Sequence, residues 1–167
     1  MKWTILNFGK YKGKTLPQII FTDADWFFWA YEKGIFNNKP IPKIEYETIF
    51  KRAIRIKPPL NYYVKHFLHD DNTSYGFSFI KIKVAEEEYS EYIGGGYYDK
   101  DYKNLDSTYF TILKYINLSF PRNHKEYDKR GCKEFIDDLK IKVLNIKRVT
   151  KQKVENFFSN ENNFELS

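Results

Sequence analysis

Pro58-Pro59 separates stretches of different side-chain periodicity, and this constrains the fold more than any other feature of the chain. Proline ends a helix and pushes the residue before it towards extended backbone. Upstream, about 43–57, apolar residues recur at helical spacing, with Ile44, Ile49, Ala53 and Ile56 inward and Lys51, Arg52 and Arg55 outward. Downstream, NYYVKHFL and YGFSFIKIKV alternate as half-buried strands do, and Asp70 to Ser74 between them is turn chemistry. TYFTILKYINLSF, 108–120, reads as another strand, broken by Pro121. Helical spacing returns from about Lys125 to Phe158, in one bent helix or two. Phe135, Leu139, Val143 and Ile146 fall three and four apart, and Lys133, Lys140, Lys147 and Lys151 share another face. The last residues, SNENNFELS, read as frayed.

The N-terminal third carries its own punctuation. Residues 3–8 and 12–16 suit a hairpin turning at Tyr11-Lys12-Gly13, and Pro17 opens a helical turn. Thr22 or Asp23 then caps DWFFWAYEKG, with Trp26, Trp29 and Ala30 on one stripe, Phe27 and Tyr31 on its flank and Gly34 as the stop. Trp26 and Trp29 read as core residues rather than stacking platforms. The fold class expected is α+β: an N-terminal β-hairpin with two helices, a central antiparallel sheet from about 60 to 120, and a long C-terminal helical segment. Residues 1–57 form one module and 58–167 the sheet and C-terminal helix, packed together as one domain.

A chain of 167 residues buries a sizeable core, and with 19% aromatic residues that core must be built largely of rings. The single cysteine, Cys132, excludes an intrachain disulfide and a multi-thiolate zinc site. It sits at a core-like helical position, as a small buried hydrophobe, rather than as a nucleophile beside His124. No stretch approaches the roughly 18 apolar residues that span a membrane, and Met1-Lys2-Trp3 opens no secretory leader. A cytoplasmic protein is expected. His66 and His69 fall three apart in a strand-like run, where i and i+3 point to opposite faces, so no metal is expected. Gly94-Gly95-Gly96 lacks the Lys-Ser/Thr of a phosphate loop. The chain reads as a non-enzyme without cofactors.

Charge is laid out in blocks. Residues 1–65 hold 12 Lys+Arg and 5 Asp+Glu, net +7; residues 66–110 hold 4 and 9, net −5; residues 111–153 hold 12 and 5, net +7. Two basic blocks around an acidic middle suit one basic face presented to an anionic partner. Three constellations are candidates for nucleic-acid binding. Lys10, Lys12 and Lys14 combine phosphate partners with the flat ring of Tyr11, and Gly9 and Gly13 let a backbone approach. Lys51, Arg52 and Arg55 form a second patch; Arg122, Lys125, Lys129, Arg130 and Lys133 form a third. The competing reading of each is a solvated surface.

Phe8-Gly9-Lys10-Tyr11-Lys12-Gly13, followed by Asp23, Trp26 and Trp29 in an Asp-x-x-Trp-x-x-Trp helix, resembles the small C-terminal module of exonuclease X-like proteins. The likeness covers residues 6–34, and the remainder looks like the extended form found in phage-encoded proteins. It implies an auxiliary nucleic-acid-associated module, without the acidic metal-binding exonuclease domain of that family. Asp23 and Asp25 are helix-cap residues and do not replace that cluster.

Two functions follow as expectations. One is a small basic phage or mobile-element protein that binds RNA or single-stranded DNA without catalysis, in the bacterial host cytoplasm. The other is a counter-defence, anti-CRISPR-like inhibitor of a bacterial nucleoprotein effector or its RNA. The acidic, tyrosine-rich segment from Glu86 to Asp106 motivates the second, as a nucleic-acid mimic or a docking surface.

Overall fold

A computed structural model describes residues 1–69, 74–94 and 108–167. The expected turn at Asp70 to Thr73, Gly95-Gly96 and the acidic residues Asp99 and Asp101 lie outside the described residues.

The fold is α+β. Helix α1 (Leu16–Glu32) starts where Gln18 Oε1 accepts the Thr15 amide at 3.0 Å, with Pro17 in its first turn. It is kinked at Asp23, whose φ of −158° and ψ of 75° interrupt the helix. Asp23 Oδ1 accepts the Trp26 amide at 3.1 Å, so the expected cap is present inside one bent helix. Gly34, at φ 65°, ends the run in the left-handed region. Helix α2 (Lys43–Ala53) follows, shorter than its periodicity suggests. Its Ile49 and Ala53 are buried as expected, whereas Ile44 is 63% exposed. Glu45 takes the inward place instead, because Thr4 donates to it through its amide (3.0 Å) and its hydroxyl (2.6 Å).

Strands β1 (Tyr62–His69), β2 (Tyr75–Lys81) and β3 (Thr108–Leu113) form an antiparallel sheet in the order β2-β1-β3, with Val64 opposite both Phe79 and Leu113. Both faces of β1 are covered. Val64, His66 and Leu68 are buried on one side, where Phe77, Phe120 and Phe135 belong. On the other side Tyr63 and Phe67 pack with Phe110, Ile112, Tyr92 and Ala85.

Three expectations are corrected. The N-terminal hairpin is a reversal without strands, closed by Gly13 N to Leu6 O (2.8 Å) and Leu6 N to Lys14 O (2.9 Å). Residues 82–84, expected to continue the second strand, instead begin helix α3 (Ile82–Glu88), where Ala85 and three glutamates favour helix. The C-terminal tail is not frayed: Phe164 is 2% exposed, bridges Ile56 and stacks on Phe158 at 5.7 Å.

The C-terminal helical segment is two helices. Helix α4 (Lys129–Leu139) widens into a π-helical turn, Lys140–Leu144, which Asn145 ends at φ 47°. Helix α5 (Lys151–Ser159) is capped by Thr150, whose Oγ1 accepts the Lys153 amide at 3.3 Å. One buried cluster runs from Trp3 to Phe164 and includes α1, α2, β1, α4 and α5. Among the described residues no helix is long and apolar enough to cross a membrane.

Candidate nucleic-acid interface

The reversal that precedes α1 turns on two left-handed glycines, Gly9 (φ 68°) and Gly13 (φ 89°), and no strand alternation governs its side chains. Tyr11 therefore points inward. It is 7% exposed, its ring lies edge-on to Trp26 at 5.1 Å, and its hydroxyl donates to Asp23 Oδ2. This overturns its expected role as a stacking platform. Burial and the Asp23 contact raise its phenol above the ordinary value.

Asp23 organises the site. Burial works to raise its carboxyl, but the bonds from Tyr11, the Trp26 amide and Lys10 hold it below the usual carboxylate range. Lys10 Nζ stands 3.3 Å from Oδ2 and Lys129 Nζ 3.6 Å, reaching it from the reversal and from α4. The structure thus pairs Lys10 with Lys129, not with Lys12 and Lys14. Lys12 is exposed, and Lys14 is half-buried and lines a different cleft.

Above Asp23 opens a groove of ≈ 340 Å³ bordered by Lys10, Asp25, Trp26, Trp29, Tyr127 and Lys129. Trp26 and Trp29 are half-buried, with centroids 6.4 Å apart, while Phe27 and Phe28 occupy the fully buried side of α1. Ala30 is buried and both tryptophans pack against the core as expected, but Phe27 and Phe28 lie deeper, and the outer faces of the tryptophans form the groove wall. Asp23, Trp26 and Trp29 recur every three residues and so share one side of the helix, a signal present in the sequence. Tyr127, 47% exposed, had no sequence signal.

The opposite wall is fixed by Arg122, which was expected to meet phosphate. Its side chain is only 5% exposed and donates to Asp25 Oδ1 and, at 2.7 Å, to Glu32 Oε2. Burial works to lower its pKa, but these carboxylates raise it above the ordinary value. Its guanidinium lies 5.7 Å from the Tyr127 ring. Asp25 Oδ1 also accepts the Asp128 amide (2.9 Å), and Asp128 caps α4 through the Gly131 amide (2.9 Å). A Cβ on Gly131 would stand 2.8 Å from Pro121 and from Tyr75, which is why the first turn of α4 carries a glycine there.

The remaining candidates divide. Arg52 is buried, donating to the Phe158 carbonyl and to Glu161 Oε1 at 3.1 Å, so it is an internal crosslink and not an outward cation. Arg55 is half-buried with its guanidinium 5.4 Å from the Tyr115 ring, which leaves Lys51 as the exposed member of that patch. Lys125, Lys129, Arg130 and Lys133 are exposed, with Arg130 facing Glu134 (3.4 Å) and Lys133 facing Asp137 (2.9 Å).

Cys132 and His66 lie in the core, whereas His124 is exposed. Cys132 is buried, and burial pushes its thiol up. His66 is enclosed by Phe77, Phe120 and Phe135, its Nε2 accepting the Asn117 amide at 2.9 Å; burial pushes the imidazole down to about 3. Among the described residues no group of three or more His, Cys, Asp or Glu is placed to hold a metal ion.

Lys10 and Tyr11 of the Phe8–Gly13 reversal and Asp23, Trp26 and Trp29 of α1 meet at this groove. The chain matches no family model, no curated protein and no solved structure.

Proposed function

We propose that the protein binds single-stranded nucleic acid without catalysis, seating an unpaired base in the groove of Trp26, Trp29 and Tyr127, with Lys10 and Lys129 beside the phosphates. The observation that carries this reading is the coincidence of half-buried and exposed aromatic faces with two exposed ammonium groups on one concavity. Stacking on an aromatic side chain contributes about 1–3 kcal/mol per base and tolerates any sequence. Lys10 and Lys129 are 56% and 65% exposed, and solvent-facing ion pairs hold their partners weakly, so both can turn to a phosphate. Asp23 then keeps its bonds from Tyr11 and Trp26. The basic blocks of the sequence and the likeness to a nucleic-acid-associated module support the same class of partner.

Fluorescence anisotropy with labelled single-stranded RNA and DNA at several salt concentrations tests the proposal. Trp29→Ala with Tyr127→Ala should weaken binding about tenfold or more while leaving the salt dependence intact. Lys10→Ala with Lys129→Ala should flatten the slope of log affinity against log salt by about 1.4, the value for two single-strand phosphate contacts. If neither pair of changes alters binding, the groove is not the interface. If the wild type binds no free strand but captures a bacterial nucleoprotein effector, the counter-defence function replaces this one.

A further inference from the structure

We infer that a second cleft, between the start of α1 and the α4–α5 connection, holds the phosphate backbone of a nucleic-acid strand. It has a volume of ≈ 410 Å³, and Lys14, Gln18, Thr22, Lys140, Thr150 and Lys151 supply its polar lining. The three lysines arrive from three places in the chain. Lys14 is the last residue of the reversal before α1, which is tied to α5 by Thr15 Oγ1 donating to Glu155 Oε1 at 2.9 Å. Lys140 opens the π-helical turn and Lys151 begins α5. The left-handed Asn145 turns the chain between them, which brings Lys140 and Lys151 to one cleft.

The charge there is one-sided. Residues 140–153 hold six basic side chains, Lys140, Lys142, Lys147, Arg148, Lys151 and Lys153, and no acidic one. The carboxylates that meet this set are Asp137 at Lys140 (2.8 Å), Asp138 at Lys142 (3.0 Å) and Glu155 at Lys151 (4.0 Å). Among the described residues, Lys14, Lys147, Arg148 and Lys153 form no ion pair. Cations in excess of their carboxylates, at and beside a concave, hydroxyl- and amide-lined cleft, concentrate a polyanion there. A run of phosphodiesters fits better than a lone anion, because the basic side chains continue along the connection past the cleft itself. It fits better than a bilayer, because Lys14, Lys140 and Lys151 converge on a concavity and not on a plane.

The identity of the ligand rests on the nucleic-acid reading, whereas the anion site does not, and the test keeps them apart. Wild type, Lys14→Glu with Lys151→Glu, and Trp29→Ala with Tyr127→Ala are each titrated against labelled oligo-dT and against inorganic polyphosphate. Lys14→Gln with Lys151→Gln serves as the milder variant, and melting temperature monitors folding. The charge reversal should weaken oligo-dT and polyphosphate alike by about tenfold at low salt. The glutamine pair should flatten the oligo-dT salt slope by about 1.4. The aromatic pair should leave polyphosphate binding unchanged. If the aromatic pair also leaves oligo-dT unchanged while the lysine variants weaken it, the base groove fails and the phosphate cleft stands. Unchanged slope and affinity in folded lysine variants overturns the cleft, as does sedimentation with phosphatidylserine vesicles in preference to oligo-dT.

Discussion

The groove at Asp23 and the cleft at Lys14 are both rich in cations, yet they use them differently. In the groove each cation has a carboxylate: Lys10 and Lys129 share Asp23, and Arg122 spans Asp25 and Glu32. In the cleft Lys14 forms no such pair among the described residues, nor do Lys147 and Arg148 on the connection beyond it, while Lys140 meets Asp137 at 2.8 Å and Lys151 meets Glu155 at 4.0 Å. The contrast separates Arg122, a cation that builds structure, from exposed lysines that can turn to a ligand. Counting basic residues in a sequence merges the two. Burial decides between them, since an arginine at 5% exposure is held in place by its partners and a lysine above half exposure is not.

The contrast breaks most easily at Arg122. Arg122→Ala should destabilise the fold by about 3–5 kcal/mol, because Asp25 keeps a nearly buried charge without its partner. That corresponds to a fall in melting temperature on the order of 10 °C. A loss below about 1 kcal/mol in urea unfolding would make the groove wall no more structural than the cleft. Tyr11→Phe comes next, at roughly 1–3 kcal/mol, since it keeps the ring and removes the donor to the buried Asp23. Its oligonucleotide affinity should match the wild type; a selective loss of binding would return Tyr11 to the ligand.

A pH series sharpens the same division. The His66 imidazole lies at about 3, below its ordinary value of 6.5, so between those values the unfolded chain takes up a proton that the fold refuses. Stability is therefore complete above pH 6.5 and falls towards acid by at most about 1.4 kcal/mol per pH unit. Asp23, held low in the fold, adds its own loss only below its ordinary 3.8. His66→Gln, which keeps an acceptor for the Asn117 amide, should flatten the urea midpoint between pH 7 and 5; a wild type with no slope there would contradict the buried neutral ring. The smallest effect belongs to the cleft. Lys147→Ala with Arg148→Ala should change stability by less than about 0.5 kcal/mol, as for exposed positions without structural partners.

What the sequence revealed was what short-range chemistry decides. The alternation of Tyr62–His69 and Tyr75–Lys81, the Asp23 cap, the Gly34 stop and the burial of Cys132 all depend on neighbours within a few residues. The misplaced residues depend on distant partners. Arg52 sits at an outward position of α2 by spacing, yet it turns in because the Phe158 carbonyl and Glu161 wait there, more than a hundred residues later. Arg122 is held by two carboxylates of α1 in the same way. Tyr11 departs from strand alternation because it sits in a glycine-hinged turn, whereas Trp26 and Trp29 pack against the core as expected and leave their outer faces to the groove. Of the thirteen residues proposed for nucleic acid, Lys10 and Lys129 came together at the aromatic groove, while Lys140 and Lys151 of the cleft were seen only as a face of a helix.

The Trp3 indole donates to Ser159, Thr15 to Glu155 and Arg52 to the Phe158 carbonyl, while Ile56 bridges Phe164. The opening third of the chain is thus closed by its last eighteen residues. During synthesis those residues leave the ribosome after the sheet and α4, so the N-terminal third must wait with its aromatic side chains uncovered until α5 has emerged. Contacts of such long sequence separation are slow to form, because the intervening loop must close before they stabilise anything. The core that supports the aromatic groove is then a late product of translation. A nascent chain stalled before Thr150 would carry every residue that lines the groove but not the helix that closes the core beneath them, which ties the groove's rigidity to the emergence of α5.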